Sequence, residues 1–425
     1  MTKLDDIAGR IANYNPDALE AGHAQEIIRG YVAPVEGVET QTLTAALGRV
    51  LAADIISPIN VPAHDNSAMD GYALRAIDLG TGLVDLKLVG TALAGHPYAG
   101  AVGAGECVRI MTGALMPADC DTVIPHELVT AHTETSATIP SGVVKAGDNR
   151  RRQGEDLAAG TPALRKGKIL RPADLGLLAS LGIGEVPVMR RLRVAFFSTG
   201  DELRSIGQSL DEGCIYDSNR YTVFGMLTRL GCEVIDMGVV RDDPASLESA
   251  LRTACESADA IVTSGGVSAG DADYTTAMME KLGDVRFWKL AMRPGRPMAF
   301  GKIASNGKSA YLFGLPGNPV AVMVSFYFFA REALLQMMGA RGEPLPRVRA
   351  TSQSAIRKKP GRTEYQRGIL SSGPDGRPHV RVTGSQGSGI LRSMSEANCM
   401  IVIPHGQGNI DAGDEVDVVL FEGLC

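Results

Sequence analysis

The sequence has no Cys-x-x-Cys pair, and its seven cysteines are scattered, at 107, 120, 214, 232, 255, 399 and 425. That excludes a disulfide framework and a cysteine zinc site, and it fits a reducing compartment. The seven histidines show no His-Glu-x-x-His or comparable ligand spacing. Basic residues are not in excess: 42 Lys and Arg against 48 Asp and Glu give a net charge of −6. A general nucleic-acid binder needs a broad basic face, so none is expected. Local clusters, such as Arg150, Arg151 and Arg152 or Arg357, Lys358 and Lys359, read as solvated surface that also suits a small anion. The first residues carry Lys3, Asp5 and Asp6 and no apolar run, which argues against a signal peptide. The uncharged stretch 309–330 is broken by Gly314-Leu315-Pro316-Gly317-Asn318-Pro319. Neither piece is expected to reach the ~20 apolar residues of a spanning helix. A soluble, cytoplasmic protein with no membrane partner follows. A Gly-x-x-x-x-Gly-Lys-Ser/Thr loop and a complete dinucleotide fingerprint are also missing.

What is present is glycine, 50 of 425 residues, about 12% against a usual 7% or so. With 22 prolines the total still lies below that of disordered chains, and no Gly-X-Y period is seen. The length suits two to four domains. The first sixty residues read as helical, with Leu43, Ala46, Leu47, Val50 and Leu51 on one face. From Pro58 to Gly160, short β-prone runs such as 86–89 and 107–110 alternate with turns. From Leu192 a strand–loop–helix rhythm sets in, with strands at 192–198, 234–239, 260–263, 285–290 and 310–313. Helices are expected at 219–230, ended by Gly231, after Asp242-Asp243-Pro244, at 274–282 and at 319–338. This alternation predicts a parallel sheet with helices on both faces. After Leu345 the texture is β again, with a turn at Pro374-Asp375-Gly376 and a strand at 416–421.

Ligands of an open α/β sheet bind beyond the carboxyl ends of its strands. There the sequence places Ser198-Thr199-Gly200-Asp201-Glu202, then Arg241, Asp242 and Asp243, then the loop Ser264-Gly265-Gly266-Val267-Ser268-Ala269-Gly270-Asp271-Ala272-Asp273. Lys289, Arg293 and Arg296 follow the fourth strand, and the 314–319 loop the fifth. Glycines let backbone N–H groups approach an anion, and a helix N-terminus adds a favourable dipole. Glu202, Asp271 and Asp273 are oxygen ligands of the kind Mg²⁺ uses beside phosphates. Lys289, Arg293 and Arg296 would neutralise a second anion. The crevice thus suits a phosphoanhydride and a metal. Taken singly, the 264–270 loop also fits a tight turn, and Glu202 and Asp242 also fit helix caps. Two further segments, 62–72 and 151–156, read from spacing alone as polar turns.

An ordered set of motifs adds to this. It comprises Asp65-Asn-Ser-Ala-Met-Asp-Gly-Tyr-Ala73, Thr112-Gly-Ala114 with Pro117, Gly154-Glu-Asp156, Ser198-Thr-Gly-Asp-Glu-Leu203 and Asp217-Ser-Asn219. It continues with Ser264-Gly-Gly-Val-Ser268, Gly270-Asp271, Asp273-Tyr274, Pro294-Gly295, Gly314-Leu-Pro-Gly-Asn-Pro319, Gln366-Arg-Gly368 and Gly387-Ser-Gly389. In these stretches the chain resembles the molybdopterin molybdenumtransferases of the MoeA type, and is similar to the E domain of gephyrin. The resemblance implies insertion of molybdate into adenylyl-molybdopterin with Mg²⁺-assisted release of AMP. It implies α/β plus β architecture: a central doubly wound, MogA-like parallel α/β domain (192–344), a β-rich insertion domain (59–160), an extended linking domain (35–58 and 161–191), a C-terminal small β-barrel (345–425) and an N-terminal helical segment (1–34) packing on the α/β domain. By position, Glu202 and Asp273 match the family's acids near pyrophosphate and Mg²⁺, with Asp271 beside them. Asp242 and Lys289 match two further functional positions. Asp65, Thr112 and Asp156 match positions that complete the site from the other subunit, so a homodimer with a shared site is implied. Ser264, Gly265, Gly266, Ser268 and Gly270 line the phosphate loop. Arg293, Arg296, Pro316, Pro319, Arg367 and Ser388 match the molybdate pocket. A MogA-type adenylyltransferase and downstream molybdoenzymes, or their chaperones, are the implied partners.

Arg293 and Arg296 stand where many members have Lys, Leu115 where Pro is usual and Cys120 where a small residue is usual. A planar guanidinium differs from an ammonium, which leaves a tungstate-preferring insertase open. A non-catalytic scaffold on the same fold is a second alternative, disfavoured by retention of Glu202, Asp242, Asp273 and Lys289. A MogA-type adenylyltransferase would leave the flanking β domains unexplained.

Overall fold

The computed structural model describes residues 3–12, 14–266, 278–279, 281–342 and 344–423. Its centre is a six-stranded sheet in the order Glu233–Val240, Arg193–Thr199, Ala260–Ser264, Lys308–Leu315, Pro297–Ser305, Gly283–Lys289. The first four are parallel neighbours. The strand Arg193–Thr199 is apolar without alternation because both its faces are covered. Val194 and Phe196 point into one core, with Val223 and Leu227 of the helix Ser218–Arg229. Ala195 and Phe197 point into the other, with Leu247 and Leu251 of the helix Pro244–Ser257. The N-terminal helix Ala21–Tyr31 adds Ala24, Ile27 and Ile28 to the first core.

The doubly wound architecture is present, but the sheet is not wholly parallel. Pro297–Ser305 runs antiparallel to both neighbours, a strand absent from the sequence reading. Asn306 (φ 47°) and Gly307 (φ 74°) form the two-residue turn that returns it to Lys308. An Asn-Gly pair with positive φ at both positions is the favoured tight hairpin turn, so the signal lay in the sequence. The expected helix through Leu43 to Leu51 is also corrected. Only Leu43–Ala46 is helical. Gly48 takes φ 74°, and Val50 and Leu51 instead bridge to Ile169 and Val188. The strand Val38–Thr42 follows the same logic, pairing with Glu185–Met189.

The expected helix at 319–338 is continuous from Pro319 to Met337, with a π-helical turn at Phe326–Ala330. Its 19 residues are long and apolar enough to cross a bilayer, which corrects the expectation on length. Most of it is buried inside the protein, with Phe326, Phe328 and Phe329 in the first core. The expected helix at 274–282 falls largely outside the described residues.

Two β units flank this centre. One is a six-stranded sheet ordered Thr122–Pro125, Gly71–Leu74, Glu106–Ile110, Leu83–Ala92, Ser136–Pro140, Ala131–His132. The other is a barrel in which Thr363–Ser372, Pro378–Val382, Val348–Ser352, Glu415–Leu420 and Cys399–Ile403 pair in turn and the last closes on the first. Closure leaves no free sheet edge. A short strand, Met292–Arg293, pairs in parallel with Thr363 and Glu364, joining the barrel to the loop after the edge strand.

Gly71 lies so close to the neighbouring strand that a Cβ there would overlap the Ile124 carbonyl. Gly71→Ala should therefore destabilise the β-rich unit by about 1–3 kcal/mol. Gly80→Ala, at an exposed turn with only the Val84 side chain nearby, should not. Urea unfolding of both variants checks this, and equal midpoints would refute the close approach.

Candidate functional site

The strand Arg193–Thr199 has Glu233–Val240 on one side and Ala260–Ser264 on the other. The chain leaves Arg193–Thr199 towards Glu233–Val240 and leaves Ala260–Ser264 towards the opposite edge, and between two such strands these folds open a crevice. Ser264-Gly265-Gly266 lies directly against the end of that strand. A Cβ at Gly265 (φ 91°) would overlap the Thr199 carbonyl oxygen. The Gly265 N–H donates to Leu315 O at 3.1 Å, and a Cβ built on Gly317 would lie 3.8 Å from Gly265 Cα. Two glycine loops therefore meet at the sheet's carboxyl edge.

Asn219 ties them together. Its Nδ2 donates to Gly317 O at 2.7 Å and to Ser264 Oγ at 3.4 Å, and Ser264 Oγ donates to Ser198 Oγ at 3.1 Å. Asp217 accepts from Arg220 N at 3.1 Å and caps the helix that presents Asn219. The sequence motif pointed to Asp217-Ser218-Asn219 without giving Asn219 this task. Ser264 is buried with its hydroxyl engaged inside and the Gly265 N–H is given to Leu315, which leaves the Gly266 backbone to face outward from this part of the loop.

Glu202 is exposed in a turn before the short strand Leu203–Arg204, not at a helix start, so the cap reading of Glu202 is corrected. Asp242 is not the cap either. Asp243 caps the helix Pro244–Ser257, accepting from Ser246 N at 2.9 Å. Asp242 Oδ1 instead accepts from Thr199 Oγ1 at 3.3 Å, which sets its carboxylate beside the crevice. Ser268, Gly270, Asp271 and Asp273 lie outside the described residues.

Cations gather at the other end of the same edge. Lys289 ends a strand three positions from Ala260–Ser264, about 14 Å across at ordinary strand spacing. Its Nζ is 2.7 Å from Asp17 Oδ1. Leu290 N donates to Arg296 O at 2.6 Å, which folds the loop back on itself. Arg367 is 1% exposed. Its guanidinium donates to Ser393 Oγ (2.9 Å), Gln386 O (3.2 Å), Ser385 O (3.3 Å) and Gly387 O (2.9 Å). Burial, and then the charge of nearby Arg293, push Arg367 down to about 10. The loop that Arg367 binds also carries Ser388, whose carbonyl accepts from Val320 N at 3.0 Å. Pro316 and Pro319 stand at that junction, Pro316 buried and Pro319 opening the helix. Arg293, Arg367, Pro316, Pro319 and Ser388 are thus drawn together where the barrel meets the sheet. Among the described residues, no carboxylate pairs with Arg293, Arg296 or Arg367. An anion there would relieve both the desolvation and the mutual repulsion.

A cavity of about 930 Å³ lies at the opposite, amino end of the sheet. Arg49 there pairs with Glu39 at 2.7 Å and Arg190 with Asp259 at 2.7 Å, so much of its charge is already compensated. It holds none of the expected site residues.

The β-rich unit brings its two suspected segments onto one face. Asn66–Ser67 pairs with Arg150–Arg151. Asp65 accepts from Gln153 N and Arg150 Nε, each at 2.7 Å, and from Arg150 Nη2. The Gln153 N–H and the Arg150 guanidinium hold its carboxyl below the usual range. Thr112 donates from N (2.7 Å) and Oγ1 (2.8 Å) to Asp70, a residue the sequence reading left without a role. Asp156 is exposed, with its N–H bonded to Val61 O at 3.1 Å. The hydrogen bonds of Asp65, Asp70, Thr112 and Asp156 all stay within residues 59–160. A carboxylate with a lowered folded-state pKa adds stability above its unfolded value, and that stability is lost as pH falls through the folded value. Asp65→Asn should therefore cost about 1 kcal/mol from pH 7 to pH 5, with the difference closing in acid below the ordinary carboxylate range. Urea midpoints of both proteins across that range test it.

Comparison with known proteins agrees with this layout. The MoeA N-terminal region (domains I and II) matches residues 19–182, a probable molybdopterin binding domain matches 195–336, and the MoeA C-terminal region (domain IV) matches 349–421. A Haemophilus influenzae protein named molybdopterin molybdenumtransferase is 43% identical over 387 residues, 91% of this chain and 94% of that protein. A Nostoc protein of the same name is 34% identical over 390 residues, 90% of this chain and 89% of that protein. The crystal structure of the molybdopterin biosynthesis moeA protein of Pyrococcus horikoshii OT3 superimposes with a TM-score of 0.81 at 29% identity, over 95% of this chain and 100% of that one. With a doubly wound domain, a β-rich unit and a closed barrel carrying the motifs in order, the chain belongs to the MoeA-type molybdopterin molybdenumtransferase family, transferases of molybdenum cofactor biosynthesis.

Proposed function

We propose that this protein inserts molybdenum from molybdate into adenylylated molybdopterin and releases AMP. One observation carries the oxyanion half of this reading. Arg367 is buried among carbonyls, beside Arg293, with no carboxylate paired to either among the described residues. Such a pair favours a small, multiply charged anion, and molybdate is a tetrahedral dianion. The phosphate half is supported by Gly265 and Gly266, which let the chain pack against the strand end and keep the Gly266 backbone at the carboxyl edge of the sheet. Glu202 and Asp242 flank that edge.

Mg²⁺ would assist from Glu202, Asp271 and Asp273. Only Glu202 lies among the described residues, which gather no group of three metal-binding side chains. They do not by themselves make a metal site, and no step here is routed through one.

The working form is a homodimer in which Asp65, Thr112 and Asp156 complete the partner's crevice. Their hydrogen bonds within their own domain leave them oriented but facing outward. Ile206, Leu210, Ile215, Tyr216, Tyr221 and Phe224, each 45–64% exposed, put many large apolar side chains on the surface within one short stretch of chain, which supports a second copy as their cover.

Purified protein supplied with adenylyl-molybdopterin, molybdate and Mg²⁺ should release AMP and yield metal-loaded cofactor. Failure of both would overturn the proposal. Arg293→Gln, at an exposed position, should raise the KM for molybdate about ten-fold through loss of a charged hydrogen bond. For the shared site, Asp65→Asn and Glu202→Gln should each be nearly inactive. Mixed and re-equilibrated, they should regain up to about a quarter of wild-type turnover, as expected for random heterodimers with one intact site in two. No regain would place each site within a single subunit.

A further inference from the structure

The cation loop has an occupant supplied by the chain itself. Residues 16–19 run beside 289–291: Lys289 N donates to Pro16 O (2.7 Å), Leu19 N to Lys289 O (3.2 Å) and Ala291 N to Leu19 O (2.7 Å). Leu19 also bridges Leu290 in parallel and is buried in the first core. This strap is therefore held by backbone bonds and one apolar anchor, independently of any charge. Asp17 projects from it to Lys289 Nζ at 2.7 Å. Lys289 first, and Arg296 as a further charge, hold its carboxyl below the usual range. One carboxylate thus faces two of the cations expected to meet the oxyanion. Asp17 also lies upstream of residue 19, where the family match begins.

We propose that Asp17 is a resident stand-in anion, which holds Lys289 until a tetrahedral dianion displaces it and which thereby raises the threshold that any anion must pass to bind. This rests on the reading of Lys289 and Arg296 as oxyanion ligands. The physical argument is one of exchange. Asp17 is 71% and Lys289 48% exposed, and exposed ion pairs are weak, so displacement is easy. A monoanion replacing Asp17 gains about the charge interaction it removes. A dianion meeting Lys289 and Arg296 together gains about twice as much. Asp17 thus lowers the affinity for every anion by one displacement cost, which cancels a monoanion's gain and still leaves a dianion a net one.

The test is calorimetric titration of purified full-length protein with molybdate, and with nitrate as the monoanion, at low ionic strength. Wild type, Asp17→Asn, Lys289→Gln and the double variant are compared. Asp17→Asn should bind molybdate about two- to five-fold more tightly, and nitrate by a similar factor, with an unchanged melting temperature, since the strap's backbone bonds remain. Lys289→Gln should bind molybdate more weakly, and the double variant should match it. If Asp17→Asn binds no more tightly while Lys289→Gln binds more weakly, the stand-in role fails and the oxyanion reading survives. If Lys289→Gln leaves molybdate binding unchanged, or no form binds molybdate, both fail. An equal gain in the Lys289→Gln background would show a general charge effect and overturn the role of Asp17.

Discussion

The Thr199 carbonyl leaves no space for a side chain at position 265, and much of the site depends on that single close approach. Because Gly265 can lie flat against the end of Arg193–Thr199, Ser264-Gly265-Gly266 packs against the carboxyl edge of the sheet. The Gly265 N–H is then given to Leu315 O, and the 314–317 loop packs beside it. Asn219 fixes the two loops by bonding Gly317 and Ser264 from one side-chain amide. An anion cradle of this kind needs no basic side chain, since it is built from backbone dipoles aimed by packing.

Charge in the protein is arranged by the same economy. At the amino end of the sheet Arg49 pairs with Glu39 and Arg190 with Asp259. At the carboxyl end, Arg293 and Arg367 have no such ion pair among the described residues, and Arg296 has only the charge of Asp17 nearby. Arg367 is desolvated by carbonyls, which orient its guanidinium without neutralising it. The contrast distinguishes arginines that hold domains in place from arginines kept for something else. The acidic net charge of the chain gives no hint of it, because the distinction lies in pairing and not in number.

Much of the central domain was legible in the sequence because its strands are doubly buried and its helix ends are marked. Phe196 and Phe197 must both be apolar, Asp243-Pro244 begins a helix and Gly231 ends one. The antiparallel strand Pro297–Ser305 was passed over although Asn306-Gly307 announces its turn, since a βα rhythm invites each strand to be read as parallel. The amphipathic spacing at Leu43 to Leu51 misled for another reason. Val50 and Leu51 are buried by strand partners over a hundred residues away, which periodicity cannot see. At the site, motif order named Asp65, Thr112 and Arg367. The residues that hold them, Gln153, Asp70 and Ser393, were silent because a supporting hydrogen bond leaves no spacing rule behind. The cap assigned to Asp242 belongs to its neighbour Asp243, a one-residue difference that only backbone geometry resolves.

The short strand Met292–Arg293 has a mechanical consequence. On one flank the 289–296 loop is sewn to the N-terminal strap through Lys289 and Ala291, and on the other to the barrel through Thr363 and Glu364. It is a span suspended between two supports that share no hydrogen-bonded sheet with each other. The spacing between Lys289 and Arg293 is thus set by the distance between the supports. Any tilt of the barrel against the sheet would enter that loop through Thr363 and Glu364, so that Lys289 and Arg293 would feel it together.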